Sequence, residues 1–178
     1  MVYIMPNTFC LKKGCLFGLF VLLLFAQSCS EQLDRAKFAA VDRAAREVKG
    51  SIARDDYGLF TERVRKFADE IDALKGKTAS AREEELLDAY AFLHSIYRDG
   101  LLLWKYRTEF TRYGFVPQGM IYVGQDIEPI VVRYKLKTTL HVYEPTQQRW
   151  KSIPSDSITF VWASADSQLE KIDFLLNE

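Results

Sequence analysis

Three cysteines, two histidines and one run of carboxylates are the side chains of this sequence whose types could carry chemistry. Cys10, Cys15 and Cys29 all stand in the first 29 residues. The rest of the chain therefore offers no disulfide, no thiolate nucleophile and no cysteine-based metal or haem site. His94 and His141 are the two imidazoles, so a His-rich metal site or a Ser-His-Asp triad would have to rest on one of them. Neither lies in an HExxH or ExxH frame. His94, between Leu93 and Ser95 in a helical stretch, reads as a core or boundary histidine, and His141 falls in a segment of weak pattern. Glu83-Glu84-Glu85 with Asp88 suggests cation binding, but consecutive carboxylates on a helix point to different sides and do not converge. Their place in a first turn, where they complement the helix dipole, accounts for them. There is no glycine-rich phosphate loop, GxSxG elbow or CxxCH haem attachment. The expectation is a protein that is not an enzyme and holds no metal or cofactor.

Aromatic rings are the other resource, at 13% of residues. Trp104, Tyr106, Tyr113, Phe115, Tyr122, Tyr134, Tyr143, Trp150 and Trp162 crowd the second half. Rings of this kind stack on sugars, and they also pack where helices meet with their polar tips in water. Should one surface bind a ligand, Tyr113, Phe115, Tyr122 and Trp150 are the expected residues, because irregular segments on a rigid scaffold often carry function.

Helical periodicity supplies the scaffold. Phe38, Val41, Ala45, Val48 and Ile52 recur at spacings of three and four, which predicts a first helix ending near Ile52. Tyr57, Phe60, Val64, Phe67, Ile71 and Leu74 repeat the pattern as a tight seam for a second, closed by Gly76. Ser80 followed three residues later by Glu83 reads as a capping box. It opens a long third helix to about Arg112, whose wide apolar face makes it the expected centre of an antiparallel bundle. Gly100 inside it marks a kink or a close helix approach.

Residues 113–125, punctuated by Gly114, Pro117 and Gly119, form a joint. A short helix over about Asp126–Lys135, capped by Asp126, follows. Residues 138–153 read as an irregular segment or a small β-hairpin turning at Glu144-Pro145-Thr146-Gln147. Ile158, Val161, Trp162, Ala165, Leu169, Ile172 and Leu176 then predict a C-terminal helix that docks on the bundle. The fold class is thus mainly α, three N-terminal helices plus one at the end, in a single domain over 29–178.

The N-terminus has a pattern of its own. Lys12-Lys13 precede the 12 apolar residues Cys15–Ala26, about 18 Å as a helix at ~1.5 Å per residue, too short for a bilayer span and suited to a signal peptide. Ala26-Gln27-Ser28-Cys29 directly after it resembles the lipobox of bacterial prolipoproteins. Ala26 and Gln27 depart from the residues most favoured at their positions. The resemblance, confined to residues 1–30, implies cleavage before Cys29 and a covalent diacylglycerol and N-acyl chain on that cysteine. It further implies attachment to membrane lipid; Ser30, in place of an aspartate retention signal, points to the periplasmic face of the outer membrane in a diderm cell. Residues 1–28 would then be a leader. Without its two lysines the chain carries 22 basic and 24 acidic residues, a balance of −2. Such a chain lacks the cationic excess that nucleic-acid binding requires.

Helical periodicity begins within about ten residues of Cys29, so the domain would stand no more than about 35 Å from the bilayer. The expected function is a membrane-anchored, non-enzymatic interaction module with an envelope protein as partner. The alternatives are a small-molecule or glycan binder using the aromatic joint, and an envelope enzyme of unrecognised type.

Overall fold

Residues 33–110 and 116–177 are described by a computed structural model. Its elements run α1 (Arg35–Ile52), α2 (Tyr57–Leu74), α3 (Ala81–Phe110), β1 (Met120–Tyr122), α4 (Glu128–Arg133), β2 (Thr139–Tyr143), β3 (Gln148–Pro154), a 3-10 turn (Ser155–Ser157) and α5 (Ile158–Asn177). The fold is mainly α with one small antiparallel sheet, as the apolar spacing predicts. The expected leader and Cys29 lie outside the described residues, as do Tyr113 and Phe115.

Each helix forms where its apolar spacing and its cap agree. Asp34 caps α1 by accepting from the Ala36 and Lys37 amides, and Asp56 caps α2 by accepting from Leu59 N at 2.9 Å. Gly76 takes φ +72°, the left-handed conformation expected past the end of α2. The Ser80 hydroxyl accepts from Glu83 N at 3.2 Å, while the Glu83 carboxylate accepts from Ala79 N at 2.8 Å. The box therefore closes one residue earlier than its usual form.

Inter-helix contacts fix the directions. Glu47 of α1 meets Arg63 and Lys66 of α2. Phe60 and Phe67 of α2 pack on Trp104, Tyr97 and Tyr90 of α3 in reverse order. Arg82 of α3 reaches the Leu175 carbonyl of α5, and the Gln168 amide donates to the Ala89 carbonyl at 2.9 Å. The four long helices thus run up, down, up, down, with α3 touching α1, α2, α5 and β1.

The core is rich in rings. Phe60 lies 5.5 Å from Trp104 and 5.4 Å from Trp162, centroid to centroid, which joins α2, α3 and α5. Most of the apolar positions read from the sequence are buried, among them Phe38, Val48, Phe67, Leu86, Leu93, Val161 and Ile172. Tyr90 donates to Asp42 at 3.1 Å, whose carboxylate also holds Arg46; Arg46 in turn reaches Asp173. The Tyr97 hydroxyl is buried without a hydrogen-bond partner among the described residues.

Two expectations need correction. The joint contains a strand: β1 pairs antiparallel with β3, Ile121 opposite Ile153, and both side chains are fully buried on the bundle. Its three residues give too little alternation to be read in one dimension. Asp126 does not cap α4, whose N-cap position is Ile127 with no side-chain bond. Its carboxylate is taken instead by the Tyr106 hydroxyl of α3, at 2.5 and 2.6 Å. Between the irregular segment and the hairpin, the structure selects the hairpin, Thr139–Tyr143 paired with Gln148–Ser152. Among the described residues no helix is long and apolar enough to cross a membrane.

Candidate functional site

Alternation along three short strands gathers the site. In β1 Tyr122, in β2 His141 and in β3 Trp150 and Ser152 share one face, because side chains two apart in a strand project the same way. The register places Tyr122 opposite Ser152 and His141 opposite Trp150. The opposite face carries Ile121 and Ile153 into the core, and this burial sets which side chains are left to face outward.

The His141 imidazole lies flat on the Trp150 indole, with centroids 4.0 Å apart and planes at 14°. Tyr122 stands on the other side of Trp150 at 6.0 Å and 37°. The three rings form a half-buried aromatic ledge across the sheet. Beneath it His141 Nε2 and Ser152 Oγ share a 2.8 Å hydrogen bond, and Ser152 is fully buried. The bond fixes the ring plane and gives the serine hydroxyl the partner that its burial requires.

One side of the ledge is set by α3. Tyr106 donates to Asp126, which holds the loop after β1 against the helix. Burial first, then the Asp126 carboxylate, pushes the Tyr106 phenol up to about 12, so it stays a donor across the physiological range. Gly124 sits in the same corner: a Cβ there would lie 3.2 Å from Asp126 Oδ1 and 3.3 Å from Tyr122 Cε1. A side chain at 124 would press on Tyr122.

The chemistry open to this face is stacking with hydrogen bonding. A nucleophilic serine needs access to substrate and a base oriented by a third group. Ser152 is closed to solvent, and no carboxylate meets His141 among the described residues. His94 is elsewhere, half-buried on α3 with its edge toward Phe67 at 5.8 Å. Burial, with Arg98 adding to it, holds its imidazole below the usual value, so it is neutral near pH 7.

The acidic run divides. Glu83 turns inward to Lys37, while Glu84, Glu85 and Asp88 line an open groove of about 460 Å³ with Phe92, Gln168 and Lys171. Among the described residues no three His, Cys, Asp or Glu side chains are grouped to hold a metal ion.

Of the four residues expected to bind, Tyr122 and Trp150 are brought together; Tyr113 and Phe115 are outside the described residues. His141 and Ser152 were missing from that set. Hairpin register would have supplied them, since a turn at 144–147 places residue 141 opposite 150. Compared with family models, with curated proteins and with solved structures, the chain matches none.

Proposed function

We propose that the protein is a bacterial envelope lipoprotein, held to membrane lipid by acyl chains on Cys29, whose helical domain is a non-enzymatic interaction module. One observation carries the reading: Ala26-Gln27-Ser28-Cys29 directly follows 12 apolar residues and a Lys12-Lys13 cluster. In a diderm cell the periplasmic face of the outer membrane is the proposed address.

The bundle supports a division of labour along its length. The first turn of α1 lies beside the N-terminus of α3, where Lys37 meets Glu83 and the Lys77 carbonyl. The loop that follows β1 joins α3 at Tyr106, and helix from Glu83 to Tyr106 covers about 35 Å at ~1.5 Å per residue. The start of α1 and the sheet therefore sit at opposite ends of the bundle, and the sheet end is where a partner is met. Cells fed labelled palmitate are expected to label the wild-type protein, while Cys29→Ser removes the label and moves the protein to the soluble fraction. Absence of label on the wild type would overturn the anchor.

A second reading is favoured by the ledge itself, where His141 stacks on Trp150 at 4.0 Å beside Tyr122. Such a surface suits the flat face of a sugar or another planar small molecule. A soluble glycan or planar ligand that raises Tm should lose that effect in Trp150→Ala. A shift that survives the substitution places the ligand elsewhere and removes this reading.

A further inference from the structure

We propose that the free edge of β2 receives an extended, acidic segment of a partner protein, which adds to the sheet as a fourth strand. The proposal rests on the interaction-module reading and names its contact surface.

The strand order β1-β3-β2 leaves β2 on the outside. Its residues Thr139–Tyr143 pair with β3 on one side; on the other, no backbone bond of this segment reaches another strand among the described residues. An edge of unpaired donors and acceptors is a template for another chain, and proteins usually blunt it with lysine, proline, a bulge or a cover. Here the five residues contain no lysine or proline, and the register runs one to one without a bulge. Leu140, Val142 and Tyr143 are 59%, 43% and 53% exposed, so an apolar surface flanks the open edge.

Charge selects the occupant. Arg149 stands opposite Val142 on β3, and Lys135 and Lys137 lead into β2. None of these three has an ion-pair partner among the described residues, whereas Lys151, opposite Leu140, is held by Glu128 at 2.9 Å. One carboxylate, Glu144 in the turn, is close in sequence, and it accepts from Gln147. An added strand answers both features when its residues on the Leu140 and Val142 face set an apolar side chain against Leu140 and a carboxylate beside Val142, toward Arg149, the main chain giving affinity and the side chains of that face specificity. A second copy would bring the same unpaired cations. An anionic membrane would meet the charges but leave the row of main-chain groups without strand partners.

The test uses the full chain in detergent and a short synthetic peptide in which glutamate and valine take turns at every second position with threonine between them, beside its lysine–valine counterpart. The acidic peptide should slow hydrogen exchange of the Thr139–Tyr143 amides and bind about tenfold or more tighter than the basic one. High salt should weaken it, as the Debye length falls from about 8 Å at physiological ionic strength to about 3 Å at 1 M. The surface variant L140E/V142E should lose binding of the acidic peptide, and Arg149→Glu should shift preference toward the lysine peptide, a reversal that a folding defect does not produce. Equal protection by both peptides, or protection by neither, overturns the proposal. So does a concentration-dependent dimer that shields these amides without peptide, or binding to phosphatidylglycerol vesicles that leaves them exchanging. Palmitate labelling reads the anchor separately, so either reading can fail alone.

Discussion

Replacing Glu83 by alanine is expected to lower the stability of the domain by about 2–3 kcal/mol, since charged hydrogen bonds are worth ~1.5–3 kcal/mol. The side chain is almost fully enclosed, yet it is ionised because two donors converge on it. Lys37 of α1 donates to it, Ala79 N donates at 2.8 Å, and its own amide is bonded to Ser80 Oγ. Lys37 Nζ also donates to the Lys77 carbonyl at 2.6 Å, so the ammonium ties together the start of α1, the turn after α2 and the start of α3. Alanine removes the anion and leaves the ammonium and the Ala79 amide to find water. Chemical denaturation of the variant measures the loss, and a change within about 0.5 kcal/mol, the range of ordinary surface substitutions, would refute the account.

The same site makes stability depend on pH. The Lys37 hydrogen bond, followed by the Ala79 amide, holds the Glu83 carboxyl below the usual carboxylate range against an opposing burial effect. A carboxyl depressed in the folded state contributes stability above its unfolded value, about 4.3, and the contribution disappears as pH falls through the folded value. Glu47, on the surface beside Lys66 and Arg63, shifts in the same direction. Glu83 is therefore isolated by difference: wild type should exceed Glu83→Gln at pH 7, and the gap should close on acidification below the carboxylate range. A gap that stays constant with pH would assign the effect of Glu83 to packing.

Gly100→Ala is expected to destabilise the domain by about 1–2 kcal/mol, although alanine is favoured over glycine inside a helix by about 1 kcal/mol. A Cβ built on Gly100 would overlap Cη2 and Cζ3 of Trp162. The indole cannot swing clear at little cost, being packed against Phe60 at 5.4 Å and Trp104 at 6.5 Å. Overpacking a filled site costs roughly 1–3 kcal/mol, and here it outweighs the helix preference. In a domain of this size the loss should appear as about 2–4 °C of Tm per kcal/mol. The smaller Trp162→Leu should relieve the clash, so the two changes together are expected to be less harmful than their sum by about 1 kcal/mol. A G100A domain as stable as wild type, with unaltered tryptophan fluorescence, would dispose of the explanation.

Gly100 shows where sequence reading reaches its limit. Glycine inside a long helical stripe announces a kink or a close approach, and the structure shows the latter. That the approaching group is Trp162, 62 positions further on, depends on α5 lying antiparallel to α3. The aromatic ledge has the same character. Tyr122 and Trp150 stood out as rings near an irregular joint, but His141 and Ser152 join them through strand pairing. Asp126 shows how a local rule yields to a distant partner: a cap residue in one dimension, it is claimed by Tyr106 across the fold.

The helices were legible without coordinates. Tyr57–Leu74 follows its run of apolar residues end to end, and Asp34, Ser80 and Gly76 mark boundaries where the backbone needs a cap or a left-handed turn. A helix closes its hydrogen bonds four residues away, so the pattern that buries one face is written in consecutive residues. The sheet was not legible in this way. β1 is three residues long and finds its partner about thirty residues later, and the ledge, the open edge of β2 and the enclosure of Glu83 exist only once those long-range pairings form. Helices are determined by neighbours along the chain, whereas strands, like the sites they build, are determined by neighbours in space.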